Sequence, residues 1–308
     1  MILRATLPIS EGRISFNIPE DDVVASTWYR IVGDLSEFAS SPLIALHGGP
    51  GAGHEYFSSL INLYRNQKIP IIFYDHIGCG KSTHFRDRMG DESFWRVDLF
   101  IRELDNLVDT LRLRNGFSIL GQSWGGVLAG SYEAKQPLGL RKAVISSGPS
   151  SIKLYMQGVH ELFERLPEDV RKALRDCGRR GDRESEEYEK AAAVWSQRHV
   201  CRLEHWPEPL KATFANLTDD TTAYLTMPSE FQVVGSLRDW EVWSNAHKIQ
   251  VETLVLNGRY DEVQDMAVLP WFKNIPKVEW VTLENASHMG HWEERKRYMG
   301  VVGSFLVD

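Results

Sequence analysis

Three cysteines, Cys79, Cys177 and Cys201, are all that the 308 residues contain, and they are far apart and odd in number. That excludes a disulfide framework and a cysteine-based zinc motif, and it suits a reducing compartment. Basic residues are also in short supply. Lys and Arg total 35 against 42 Asp and Glu, a formal net charge of −7. With no basic excess to neutralise a phosphate backbone, nucleic acid is not an expected partner. No apolar run approaches membrane-spanning length, and no long apolar stretch follows Met1. The expectation is a cytoplasmic protein with no membrane partner. Internal repeats and low-complexity tracts are absent too. A charged fraction of 25% and a hydrophobic fraction of 43% describe an ordinary globular chain, long enough to bury a large core.

Strand and helix signals alternate along most of it. Arg13–Ile18 and Val24–Val32 read as early strands. Pro42–Leu46, Pro70–Tyr74 and Arg141–Ser146 are more continuously apolar, as strands buried on both faces of a parallel sheet should be. Val97, Phe100, Ile101, Leu104, Leu107, Val108 and Leu111 recur at helical spacing. From about Pro149 to Val234 the chain is charged and helix-prone, with a loop-like Cys177–Asp182 and its first strand signal only at Phe231–Val234. Afterwards strands at Val251–Leu256 and Val278–Leu283 and a terminal helix through Trp292 to Phe305 restore the rhythm. This predicts a doubly wound α/β sheet over residues 1–148 and 238–308, with a mostly helical cap over 149–237.

The sharpest chemical signal is Phe117-Ser118-Ile119-Leu120-Gly121-Gln122-Ser123-Trp124-Gly125-Gly126. A buried strand meets Gly-x-Ser-x-Gly, and a helix rich in small residues follows. Such a turn strains the serine backbone to expose its hydroxyl, and small neighbours let strand and helix close on each other. A serine needs a base, and the base a third group that fixes its tautomer. In this order of elements the acid and then the histidine should follow late strands. Asp261 lies just past Val251–Leu256, and His288 just past Val278–Leu283, with Glu262 and His291 as spare acid and base. The oxyanion donors expected are the amides of Trp124 and of Gly49 in Leu46-His47-Gly48-Gly49-Pro50-Gly51. Asp75-His76-Ile77-Gly78-Cys79-Gly80-Lys81-Ser82 ends like a P-loop, but Asp75 stands where the first glycine must be. His288-x-x-His291 lacks a third ligand in a fitting motif, so neither a metal nor an organic cofactor is expected.

Together, His47-Gly48-Gly49-Pro50-Gly51, Tyr74-Asp75-x-x-Gly78-x-Gly80-x-Ser82 and Gly121-Gln122-Ser123-Trp124-Gly125-Gly126 resemble the proline iminopeptidases of the α/β-hydrolase fold and the related L-amino-acid amidases. Tyr188-Glu189-Lys190-Ala191, His199-Val200-Cys201-Arg202, Trp206-Pro207 and Met227-Pro228-Ser229-Glu230-Phe231 look like that family's cap. The resemblance implies a small-molecule or short-peptide substrate with a free amine, cleaved at the amide beside its N-terminal residue. A buried ammonium needs a charged, hydrogen-bonding partner. The family's two glutamates for that purpose match Glu230 and Glu262 here. Two positions depart from the pattern: His76 stands where glutamine is usual, and Met289-Gly290-His291-Trp292 is bulkier and richer in histidine. The competing readings are a carboxylesterase or lactonase of the same fold acting on a neutral molecule, and a binding protein that no longer turns over.

Overall fold

A computed structural model describes residues 7–35, 41–227 and 235–307. Its spine is an eight-stranded sheet in the order β1-β2-β4-β3-β5-β6-β7-β8. The strands are β1 (Ile9–Ile18), β2 (Val23–Val32), β3 (Leu43–Leu46), β4 (Ile71–Tyr74), β5 (Phe117–Gln122), β6 (Leu140–Ser146), β7 (Glu252–Gly258) and β8 (Val278–Leu283). β1 pairs antiparallel with β2, and β2 with β4; every other pairing is parallel. The central strands β3, β4 and β5 are buried at every residue, which is why β3 and β4 read as unbroken apolar runs and β5 as a largely apolar one. β1, at one edge, alternates exposed and buried in its second half.

Helices cover the sheet. α1 (Ile61–Gln67), α2 (Val97–Thr110) and α3 (Trp124–Glu133) connect the first strands, and α9 (Asp265–Asn274), α10 (Gly290–Glu293) and α11 (Arg295–Val307) close the chain. α2 buries Leu99, Phe100, Ile101, Leu104, Leu107 and Val108, the apolar face legible in its sequence. The terminal helix expected through Trp292 is instead interrupted at Glu294, leaving a short α10 and a long α11. Between β6 and β7 run α4 (Ile152–Glu164), α5 (Glu168–Arg180), α6 (Glu186–Trp195), α7 (Glu208–Asp219) and α8 (Thr222–Thr226). Here the loop expected at Cys177–Asp182 is corrected. α5 continues through Arg180 because Leu174 and Cys177 are buried on its inner face, and it stops only where Gly181 turns left-handed. The strand expected at Phe231–Val234 lies outside the described residues, as does Glu230.

The sheet reverses its winding between β3 and β5: β3 leads outward to β4, and β5 to β6. A crevice opens beyond the carboxyl ends of the strands at such a switch point. The turn from β5 into α3 is unusually tight. A Cβ on Gly121 would lie 1.9 Å from the Gly125 carbonyl oxygen, and one on Gly125 would lie 1.8 Å from that of Leu46. No alanine fits at either place. Gly125→Ala should lower stability by roughly 2–3 kcal/mol in urea denaturation, the cost of overpacking against backbone that cannot yield. A loss below about 0.5 kcal/mol would show that the helix can move away from the strand.

Candidate active site

At the end of β5 the tight turn leaves Ser123 with φ 58° and ψ −120°, a region a non-glycine residue occupies only under constraint. Its backbone N–H donates to the Ser146 carbonyl at 3.0 Å, tying the turn to β6. The hydroxyl makes no hydrogen bond to a described residue and lines a cavity of about 110 Å³. As the N-cap of α3, Ser123 stands where the unpaired N–H groups and positive end of a helix converge.

Beyond β7, Asp261 is fully buried. Its Oδ1 accepts from the Val263 N–H at 2.8 Å and from the His288 ring at 2.8 Å, and Oδ2 accepts from the Gly258 N–H at 3.4 Å. An ionised carboxylate only accepts, so the His288 proton sits on Nδ1 and Nε2 is left to take one. Burial alone would push the His288 imidazolium down. The charge and hydrogen bond of Asp261, aided by the charge of Glu262, outweigh burial and raise it to about 9.

Glu262 is the second carboxylate at this ring. Its Oε1 is 3.9 Å from His288 Nε2, on the opposite side from Asp261. It is buried, and its charge is held by the Trp195 indole N–H at 3.2 Å and the Tyr155 hydroxyl at 3.4 Å. Burial drives this carboxyl up, His288 draws it back, and Asp261 adds repulsion.

The loop after β3 faces the turn at Ser123. Gly49 has φ 109°, and the Gly49–Pro50 bond is cis. The Gly48 carbonyl accepts from His47 Nδ1 at 2.9 Å and from the Ala52 N–H at 3.2 Å, which fixes the peptide plane that carries the Gly49 N–H. Because Nδ1 donates, His47 Nε2 must accept, and it takes the His76 N–H at 3.0 Å. Burial keeps His47 neutral, its value lowered to about 4. Thus His76 meets this loop through its backbone. Its buried ring lies with its centroid 3.9 Å from that of His47, tilted by 33°, and has no hydrogen-bond partner among the described residues.

Ser123, Gly49, Trp124, Glu262 and His288 therefore line one cavity, with Asp261 behind His288. His291 does not join them. It is fully buried among Tyr56, Phe57 and Tyr298, neither ring nitrogen makes a hydrogen bond of good geometry to a described residue, and burial lowers it to about 3. Among the described residues the group of His, Asp and Glu side chains close enough to hold an ion is His54, Glu55 and Asp75, away from this cavity. Its members are already bonded, His54 to Asp75 at 2.8 Å and Glu55 to Asn216 at 2.9 Å. A larger groove of about 1020 Å³ lies between α4 and residues 238–243, but it contains neither Ser123 nor His288.

The sequence marks His199-Val200-Cys201-Arg202 as part of a cap, but several contacts of the site carry no signal in it. Tyr155 and Val200 come from the segment between β6 and β7 and line the cavity, and Trp195 of the same segment bonds Glu262. The π-turn Ser196–Val200 presents two carbonyls to the histidine loop: His199 accepts the His288 N–H at 3.2 Å, and Val200 accepts the Met289 N–H at 3.0 Å. Arg202 N–H then donates to Glu293 at 2.8 Å. Only the π-turn's distance in sequence from His288 hid this clamp.

A family model described as alpha/beta hydrolase fold matches residues 41–295. A proline iminopeptidase of Saccharolobus solfataricus is 35% identical over 279 residues, spanning 90% of this chain and 87% of its own. The solved structure of a proline iminopeptidase from Mycobacterium smegmatis matches with a TM-score of 0.86 and 32% identity, over 96% of this chain and 97% of that one. The crystal structure of VinJ matches with a TM-score of 0.89 and 38% identity, over 96% and 98%.

The electrostatics make a direct prediction. In ligand-free protein the His288 ring should titrate near pH 9 by NMR. Glu262→Gln should move the midpoint down, since it removes a negative charge that favours the imidazolium; Asp261→Asn should move it further. The folded value is raised, so this pairing stabilises the fold fully below the unfolded value of about 6.5 and is lost as pH rises through about 9. An unmoved midpoint in Glu262→Gln would mean that Glu262 carries no charge beside the ring.

Proposed function

Because the chain belongs to the α/β-hydrolase family and, within it, to the proline iminopeptidases, we propose that this hydrolase releases an N-terminal residue from a small amide or short peptide through an acyl-enzyme on Ser123. One observation carries the reading: a buried carboxylate, Glu262, stands at the cavity 3.9 Å from the His288 nitrogen that would take the serine proton. A hydrolase for neutral esters has no use for a second buried charge there. A substrate with a free ammonium group does, because burying that cation requires a charged partner. Proline at the N-terminus, the residue named in the relatives, is the first to test.

In the proposed reaction Ser123 Oγ attacks the carbonyl carbon as His288 Nε2 takes its proton, with Asp261 holding the ring. The N–H groups of Gly49 and Trp124 receive the oxyanion. The C–N bond breaks and His288 gives its proton to the departing amine. Water then attacks the acyl group, His288 takes the water proton, and the free carboxylate leaves as Ser123 regains its hydrogen. An ammonium against Glu262 would also offset the charge that keeps His288 protonated, returning the ring to its basic form when substrate is in place. Residues 149–237 serve in this reading as the cap, and Tyr155 and Trp195 hold Glu262 from it. Glu230, outside the described residues, stays in the proposal as a second carboxylate on the strength of the sequence alone.

The test is a panel of aminoacyl p-nitroanilides, prolyl included, their N-acetylated counterparts and simple esters. Wild type should cleave the free-amine substrates, and Ser123→Ala should lose at least roughly 10³-fold in kcat. Glu262→Gln should raise KM for free-amine substrates by roughly 30-fold or more, the effect of removing one partner of a buried charge pair, and leave N-acetylated ones little changed. Equal cleavage of acetylated and free-amine substrates would defeat the amine reading in favour of a neutral ester or lactone. Failure of a fluorophosphonate to label Ser123 would defeat the nucleophile itself.

A further inference from the structure

A further buried side chain lining this cavity bonds the loop after β3 and the end of β5 directly, and reaches the His288 loop through Gln122. The Tyr56 hydroxyl accepts the Gly48 N–H at 2.8 Å and donates to Gln122 Oε1 at 2.8 Å. The Gln122 amide passes the connection on, its Nε2 donating to the His288 carbonyl at 3.2 Å. The chain has one consistent direction. Gly48 N–H can only donate, so the tyrosine oxygen accepts from it and spends its own hydrogen on Gln122; Gln122 Oε1 accepts, and its nitrogen donates onward. Burial holds the phenol far above its ordinary range, so that hydrogen is present at every working pH.

Tyr56 itself is held on every side. Its N–H donates to Thr213 of α7 at 3.2 Å, its carbonyl accepts the Trp292 indole at 2.8 Å, and its ring stacks on Phe57. A Cβ on Gly48 would come within 3.0 Å of Gln122 Oε1 and 3.2 Å of Ser123 Cβ, so the loop after β3 already rests against the turn at Ser123. Engaging the Gly48 N–H removes it from the candidate oxyanion donors and leaves the next amide, Gly49, with no partner among the described residues.

We propose that Tyr56, relayed through Gln122, is a positioning residue that sets the distance between the Gly49 amide, Ser123 and the His288 loop in the tetrahedral state. This rests on the reading of Ser123 as nucleophile and Gly49 as oxyanion donor. Distances of this kind matter most where charge develops, so their loss should appear in kcat and leave KM alone. Tyr56→Phe keeps the ring and its stacking and deletes only the relay oxygen.

The experiment compares wild type, Tyr56→Phe, Gln122→Met and Ser123→Ala on a prolyl p-nitroanilide, with melting temperatures alongside. It also measures inhibition by an aminoboronic acid, whose boron becomes tetrahedral on the serine. Tyr56→Phe should lower kcat by roughly tenfold or more with KM within about threefold, less than the 10²–10³ lost when an oxyanion donor is deleted outright. Boronate affinity should fall by the same factor as kcat/KM, which a general loss of packing would not produce. Gln122→Met should do the same and carries the test if Tyr56→Phe does not fold. Unchanged kcat in a folded variant, a fall in kcat with boronate affinity intact, or failure of both variants to fold would each overturn the positioning role. An active Ser123→Ala would instead defeat the nucleophile reading. A dead Ser123→Ala beside an unimpaired Tyr56→Phe defeats this inference alone.

Discussion

How closely a helix can be lowered onto a strand governs everything at this site. Gly121 and Gly125 carry no Cβ, and backbone atoms of α3 and of Leu46 and His47 at the end of β3 occupy the space a Cβ would need. That contact forces Ser123 into its positive-φ conformation and aims the amide end of α3 at the same point. The strain is local, but the whole sheet sustains it. β5 is buried at every residue and paired on both sides, so the turn cannot relax by letting the strand bend.

Around that fixed point the site is electrostatically unusual. Two carboxylates flank one imidazole, Asp261 at 2.8 Å from Nδ1 and Glu262 at 3.9 Å from Nε2. Asp261 takes two backbone N–H bonds as well as the ring, and Glu262 takes an indole and a phenol. Neither is left bare, which is the condition for keeping charge away from water. The two have different supports: loop backbone holds Asp261, whereas side chains of α4 and α6 hold Glu262. The charge that favours the imidazolium thus depends on elements remote in sequence from the histidine.

The sequence made the sheet and its order of candidate loops legible because the inner parallel strands are written as largely apolar stretches that end in turn signals. Ser123, Asp261 and His288 could be located by counting strands, and Gly49 by the glycines that follow one. Tyr56 could not. Its relay joins residues 66 and 166 positions apart, and nothing in His54-Glu55-Tyr56-Phe57 distinguishes it from an ordinary core aromatic. His291 misled for the opposite reason: three residues from His288 it is conspicuous in sequence, yet the turn into α10 rotates it into an aromatic core. The helical run through Gly178 was hidden by composition, since glycine and arginine suggest a loop and only packing at Leu174 and Cys177 says otherwise.

The π-turn at Ser196–Val200 bears on how such a protein can change. Its carbonyls receive the backbone N–H groups of His288 and Met289, so the segment that roofs the cavity also serves as scaffolding for the histidine. A lid joined only at its hinges can be exchanged for another without disturbing the machinery beneath. This one is bonded through its backbone to the loop that carries His288. Grafting a new roof to alter what enters the cavity would at the same stroke remove the two carbonyls that hold the backbone of His288 and Met289.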